Sequence, residues 1–240
     1  MPGVVILLPP SEGKAPEGGR PPWSPASGRF GRKLAAGRRQ VAAALGAVGG
    51  GDAKMLGVSG AHLERARAAN VACVGAPTLP AWQRFTGVVW DHLDVGTLSA
   101  AARRNATERL VVVNGLAGLS GLDDPLPDFR LKMSVAPGAV GRVANHWRPL
   151  ISPVLNDLAA GGLVVDLLPA EHAAAWDPEP GRYELVRVDL VDGAGRKAGH
   201  AAKAAKGLLA RQLVSAPGAR AVHALLDGGH TVGGFTVTAR

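Results

Sequence analysis

The stretch that most constrains this chain is its N-terminal run, Val4-Val5-Ile6-Leu7-Leu8 followed by Pro9-Pro10-Ser11-Glu12-Gly13-Lys14. Five consecutive apolar, mostly β-branched residues predict a short strand buried on both faces. Two prolines end it, because proline has no N–H to give a neighbouring strand and fixes its own φ. A hydroxyl, a carboxylate, a glycine and an ammonium then follow in sequence. Locally, Ser11 to Lys14 reads either as a polar turn or as the edge of a cleft, where strand-end loops carry function.

The chain has 240 residues, 47% hydrophobic but only 4% aromatic, so alanine, valine and leucine must fill the core. Its length suits one large domain. Apolar runs fall short of a membrane span and no signal peptide opens the chain, so a cytoplasmic protein without a membrane partner is expected. The single cysteine, Cys73, excludes an intramolecular disulfide and any multi-cysteine metal site. In Val71-Ala72-Cys73-Val74 it reads as an inert thiol in a buried strand. The net charge of +8 points to an anionic partner, nucleic acid or a phosphorylated small molecule. Arginine outnumbers lysine 20 to 7, and arginine-rich coding bias alone also raises the charge. Each remaining lysine therefore carries more information than each arginine.

Residues 15–32 read as a long irregular loop, open to motion. Helices are predicted over 34–48, with Gly49-Gly50-Gly51 as the stop, over 62–69, over 99–109 with Ser99 as N-cap, and over 198–214. Strands are predicted over 110–113, over 163–168, and over 183–191 as an edge or half-buried strand, with a turn at Asp192-Gly193. No βαβ repeat or interdomain linker is visible. The expectation is a single compact α+β domain over 1–240, a mixed sheet with surrounding helices.

Four constellations carry chemistry. On the 198–214 helix, His200, Lys203, Lys206 and Arg211 share a face opposite Ala201, Ala205, Leu208 and Leu209, and Lys203 and Lys206 are placed to converge on one phosphate or carboxylate. The alternative is a solvated helix face. The glycine-punctuated stretch 114–124, containing Gly115 and Gly118, offers backbone N–H groups to a phosphate, grips DNA as a hairpin between helices, or is a tight turn. It has neither a Walker lysine nor GxGxxG. In Phe129-Arg130-Leu131-Lys132-Met133, Arg130 and Lys132 alternate with apolar residues. Acid and imidazole concentrate at Asp91, His92 and Asp94, and at Asp166, Glu171 and His172. No metal is expected, since neither HxH nor HExxH spacing occurs, and no cofactor.

Taken in order, these segments resemble the YaaA family of peroxide-stress proteins. The resemblance runs through Leu8-Pro9-Pro10-Ser11-Glu12-Gly13-Lys14, Phe85-Thr86-Gly87-Val88-Val89-Trp90-Asp91, Gly115-Leu116-Ala117-Gly118, Phe129 to Met133, His146-Trp147, Asp166-Leu167-Leu168 and Ala202-Lys203-Ala204-Ala205-Lys206-Gly207. It implies a compact fold with a basic cleft, a helix-hairpin-helix near Gly115 and Gly118, and DNA binding linked to oxidative stress and repair. Lys14, Arg130, Lys203 and Gly207 match the family pattern. Departures occur where the family commonly has Tyr (here Trp90, Phe129 and His172), an aromatic (Ala117), Arg-Pro (Gly121-Leu122) and Arg (Lys206). They suggest a diverged member retuned for another ligand.

Two functional readings follow. In the first, Ser11, Lys14, Arg130, Lys132, Lys203, Lys206 and Arg211, with Gly115 and Gly118, hold DNA phosphates. In the second, the chain is an enzyme on a small anionic substrate, with Lys203 and Lys206 as clamp. There Glu12, Glu171 and His172 or His92 move protons, and Lys14 stabilises charge or acts as nucleophile.

Overall fold

The structure, a computed structural model, describes residues 3–195 and 199–239. In chain order the elements are β1 (Val4–Leu8), α1 (Gly31–Ala47), α2 (Ala53–Leu56), α3 (Gly60–Val71), β2 (Leu79–Pro80), α4 (Ala81–Arg84), α5 (Val88–Leu93), α6 (Ala100–Arg109), β3 (Leu110–Asn114), β4 (Gly118–Gly121), β5 (Pro125–Leu126), α7 (Val143–Ala159), β6 (Leu163–Asp166), α8 (Ala170–Ala173), β7 (Glu184–Asp192), α9 (His200–Ser215), α10 (Ala219–Leu226), β8 (Thr231–Val232) and β9 (Phe235–Ala239). The start expected for α9, at Ala198, lies outside the described residues.

A seven-stranded mixed sheet runs in the order β4-β3-β1-β6-β7-β9-β8. β1 is flanked by parallel partners, β3 and β6, and β6 pairs with β7 in parallel. The remaining pairings, β3–β4, β7–β9 and β9–β8, are antiparallel. β1, β3 and β6 are buried throughout, as continuous apolar strands of a covered parallel sheet must be. β1 touches α7, which packs with α1, and also α6, which packs with α9, so both its faces are covered. This compact α/β arrangement agrees with the mixed sheet and surrounding helices expected from the sequence.

Local chemistry explains the ends. The Ser99 hydroxyl accepts from Ala102 N at 3.2 Å and opens α6 as expected. The Asp52 carboxylate caps α2 through Met55 N at 2.7 Å. The 15–32 segment is irregular but pinned, with Trp23 buried and Arg20 bridged to Thr78. β7 is half-buried but is not an edge, because it pairs on both sides. The 71–74 stretch is not a strand: it closes α3 and turns, with Val71 and Val74 exposed and only Cys73 inside.

The glycine-rich stretch corrects a larger expectation. Residues 110–121 form a buried β-hairpin, β3-turn-β4, not a helix-hairpin-helix. Trp147 Nε1 donates to the Gly115 carbonyl at 2.7 Å. Gly118 adopts φ +68° under the Trp147 ring, where a Cβ would sit 2.7 Å from a ring carbon. The buried Arg38 guanidinium holds the second strand, donating to the carbonyls of Ala117 at 2.9 Å and Leu119 at 2.8 Å. Gly115 and Gly118 are thus packing positions of the hairpin.

Candidate functional site

The chain leaves β1 toward β3 on one side and leaves β6 toward β7 on the other, so their carboxyl ends flank a topological switch point. Open α/β sheets bind ligands outside the strands' carboxyl ends at such a point. β1 delivers the Ser11–Lys14 loop there, and the second loop, which follows β6, contains the one-turn helix α8 with Glu171 and His172.

The first loop is fastened by backbone pairing. Lys14 bridges Phe85, Ala15 N donates to Arg84 O at 3.0 Å, and Thr86 N donates to Gly13 O at 3.1 Å. Gly13 is required by this close approach, since a Cβ would stand 2.8 Å from the Thr86 carbonyl oxygen. The pairing turns Lys14 inward, to 9% exposure. Its Nζ lies 4.3 Å from the Phe129 ring centre and 5.7 Å from that of Phe85, and it donates to the Ser11 carbonyl at 3.0 Å. Burial lowers its pKa to about 7; Asp128 opposes the shift, and the Arg130 charge adds to it.

The carboxylates that could hold Lys14 charged are themselves engaged. Asp128 pairs with Arg65 at 2.9 Å. Glu12 meets Arg130 at 2.6 Å and Lys132 at 3.4 Å. Burial acts to raise the Glu12 carboxyl, but Lys132 and Arg130 outweigh it and hold it below its usual value. Arg130 is positioned by the Leu56 carbonyl at 2.7 Å and, through its backbone N–H, by the Asn70 side-chain oxygen at 2.9 Å. The alternation expected over 129–133 is observed: Phe129, Leu131 and Met133 are buried, and Arg130 and Lys132 are half-buried.

In the second loop His172 is 8% exposed. Its Nδ1 has no hydrogen-bond partner and lies 3.7 Å from Glu171 Oε1, while Glu171 Oε2 accepts from Ser134 Oγ at 3.0 Å. Burial pushes the imidazole pKa down to about 4; Glu171 opposes, and the charges of Lys206 and Lys14 add to the depression. The ring is therefore neutral at pH 7. The action of both lysines on this ring ties the first loop, the second loop and α9 into one electrostatic locus.

α9 divides the remaining candidates. Lys206 Nζ donates to the Leu167 carbonyl at 2.5 Å and faces Asp166, whose carboxyl is raised by burial. Lys203 is exposed, so the expected two-lysine clamp is split between interior and surface. Arg211 donates to the carbonyls of Leu93 at 3.0 Å and Asp94 at 2.8 Å, where α5 ends. His92 bonds Val88 O of its own helix at 2.8 Å. Gly207 lets α9 close on α5, because a Cβ there would lie 2.3 Å from Val89 O. The Ser11 hydroxyl donates to the Gly13 carbonyl.

Sequence reasoning missed the aromatic wall. Phe85 and Phe129 flank Lys14, and Trp90 stands 5.1 Å from Phe85 with its buried Nε1 unpartnered. The available signal was scarcity: with 4% aromatic residues, three clustering in matched segments is unusual use. Two surface cavities, of about 330 Å³ beside Arg103 and Asp123 and about 270 Å³ beside Arg148 and Asp177, contain none of the candidate residues.

Fold and site together define a compact mixed α/β protein with a buried lysine, aromatic walls and a neutral histidine at the sheet's switch point. The chain belongs to the family described as "Peroxide stress protein YaaA", whose family model matches residues 4–232. It is 37% identical over 241 residues to a "UPF0246 protein" of Streptomyces coelicolor, covering 95% of this chain and 92% of that relative. It is 34% identical over 221 residues to a "UPF0246 protein" of Corynebacterium efficiens, covering 89% and 86%. Among the described residues no helix is long and apolar enough to cross a membrane.

Proposed function

We propose that this chain is an enzyme acting on a small anionic substrate, with its reacting centre at Lys14. The observation that carries this reading is the inward, buried Lys14 amine between Phe129 and Phe85, where burial lowers its pKa to about 7. A cation meant for a DNA phosphate gains by remaining exposed and charged, whereas a buried lysine free of its proton near pH 7 suits base or nucleophile chemistry. Arg130 and Lys132 supply cationic recognition beside it, with the Glu12 carboxylate occupying the place a substrate anion would take. His172, neutral and beside Glu171, is suited to proton transfer. The family description supports a setting of oxidative stress. Cys73 is poorly suited to reduce peroxide itself, since burial raises its thiol pKa to about 11.

DNA holding is the second reading, favoured by the net charge of +8 and by exposed Lys203 on α9. One comparison separates the two. Wild type and Lys14→Ala are incubated with a small-molecule extract and followed by mass spectrometry, beside a duplex gel shift at low salt. The enzyme reading expects a carboxylate- or phosphate-bearing compound consumed by wild type and spared by Lys14→Ala. Identical extracts together with salt-sensitive duplex retention would overturn it in favour of DNA.

A further inference from the structure

We infer that Lys14 captures its substrate covalently, its Nζ condensing with an aldehyde or ketone carbonyl to form an imine, so that the substrate class is a carbonyl compound bearing a carboxylate or phosphate. This rests on the enzyme reading above and deepens it. Four features of the geometry carry it. Nζ is buried, 4.3 Å from the Phe129 ring centre and 5.7 Å from that of Phe85, and withdrawal from water disfavours its charged form by more than the two rings favour it. Its hydrogen bond goes to an uncharged acceptor, the Ser11 carbonyl at 3.0 Å, and not to a carboxylate. Among the described residues no carboxylate lies within ion-pair distance of it, because Asp128 is paired with Arg65 and Glu12 with Arg130 and Lys132. Lys14 stands in the loop that follows the carboxyl end of β1, beside Arg130 and Lys132, two cations that can take up a substrate anion in exchange for the exposed Glu12 carboxylate. Near-neutral titration of the amine agrees with this geometry.

The step balances without any co-reactant. The Nζ lone pair adds to the carbonyl carbon, and the C=O π pair moves to oxygen to give a carbinolamine. That oxygen leaves as water with the two protons Nζ gives up, and a C=N bond replaces C–O. A walled, poorly hydrated site favours loss of that water.

The test uses the full chain with glyoxylate, pyruvate or dihydroxyacetone phosphate and cyanoborohydride near neutral pH, followed by peptide mapping. The expected result is a reduced adduct on Lys14 forming at least about tenfold faster than on any of the other lysines with at least one probe. Lys14→Arg, which keeps the charge and loses the nucleophile, should lack that fast phase; if it does not fold, the site-by-site rates in wild type decide alone. Labelling of Lys14 no faster than of the other lysines with all three probes would overturn the imine. If the extract comparison still showed Lys14-dependent consumption, the enzyme reading would survive that loss; if neither appeared, both would fall.

Discussion

A lysine folded inward beside two phenyl rings makes stability depend on pH with a defined sign. The Lys14 pKa falls from 10.5 to about 7 on folding, so between these values the unfolded chain binds more protons. The contribution is complete above the unfolded value and is lost as pH falls through about 7. Denaturant titrations of wild type and Lys14→Met across this window should show the variant's relative stability falling as pH rises, by up to about 1.4 kcal/mol per pH unit. A pH-independent difference would mean that Lys14 is charged throughout. Cys73 gives a second residue-scale prediction. Buried and with its thiol pKa raised to about 11, it should resist thiol reagents at neutral pH and react only as the chain unfolds. Rapid labelling of the native protein would contradict the placement of Cys73.

At the scale of elements, the site depends on α9 lying flush against α5. Gly207→Ala drives a methyl into the Val89 carbonyl and His92 Cβ, at 2.3 and 2.7 Å. We expect a loss of about 1–3 kcal/mol in urea unfolding, with displacement of the neighbouring Lys206 from Leu167. What was legible in the sequence follows from physics at this scale. β1, β3 and β6 could be read because a strand covered on both faces is a continuous apolar run. α7 could not, because Pro149 and Pro153 sit inside it; both lie on its exposed face, one turn apart, where water can serve the freed carbonyls. The stretch 114–121 was misread because alternating glycines serve a phosphate loop, a helical hairpin and a β-hairpin alike; the choice is made by Trp147 and Arg38, which arrive from distant helices. Lys14 and His172 were legible as chemically notable residues in strand-end loops. Their burial was not, since that of Lys14 depends on Phe85 and Phe129, which are distant in sequence.

At the scale of the whole molecule, the arginine excess serves the interior as well as the surface. Arg38, Arg84, Arg109, Arg130, Arg148 and Arg211 all donate to backbone carbonyls of loops and element ends, which irregular segments such as 15–32 leave without ladder partners. The charge of +8 is therefore partly the charge of a scaffold that holds irregular backbone in place, and a basic total alone is a weak argument for a polyanionic partner. That scaffold fixes the loops at the ends of β1 and β6 and thereby turns Lys14 inward. The most direct measurement of this central claim is competitive acetylation of the native protein with acetic anhydride from about pH 5 to about pH 11, with the extent of reaction mapped at each lysine. The burial of Lys14 predicts a midpoint near 7 for its amine. A Lys14 midpoint at the ordinary 10.5 would contradict it, because an amine fully charged at neutral pH could be neither the nucleophile nor the base of this site.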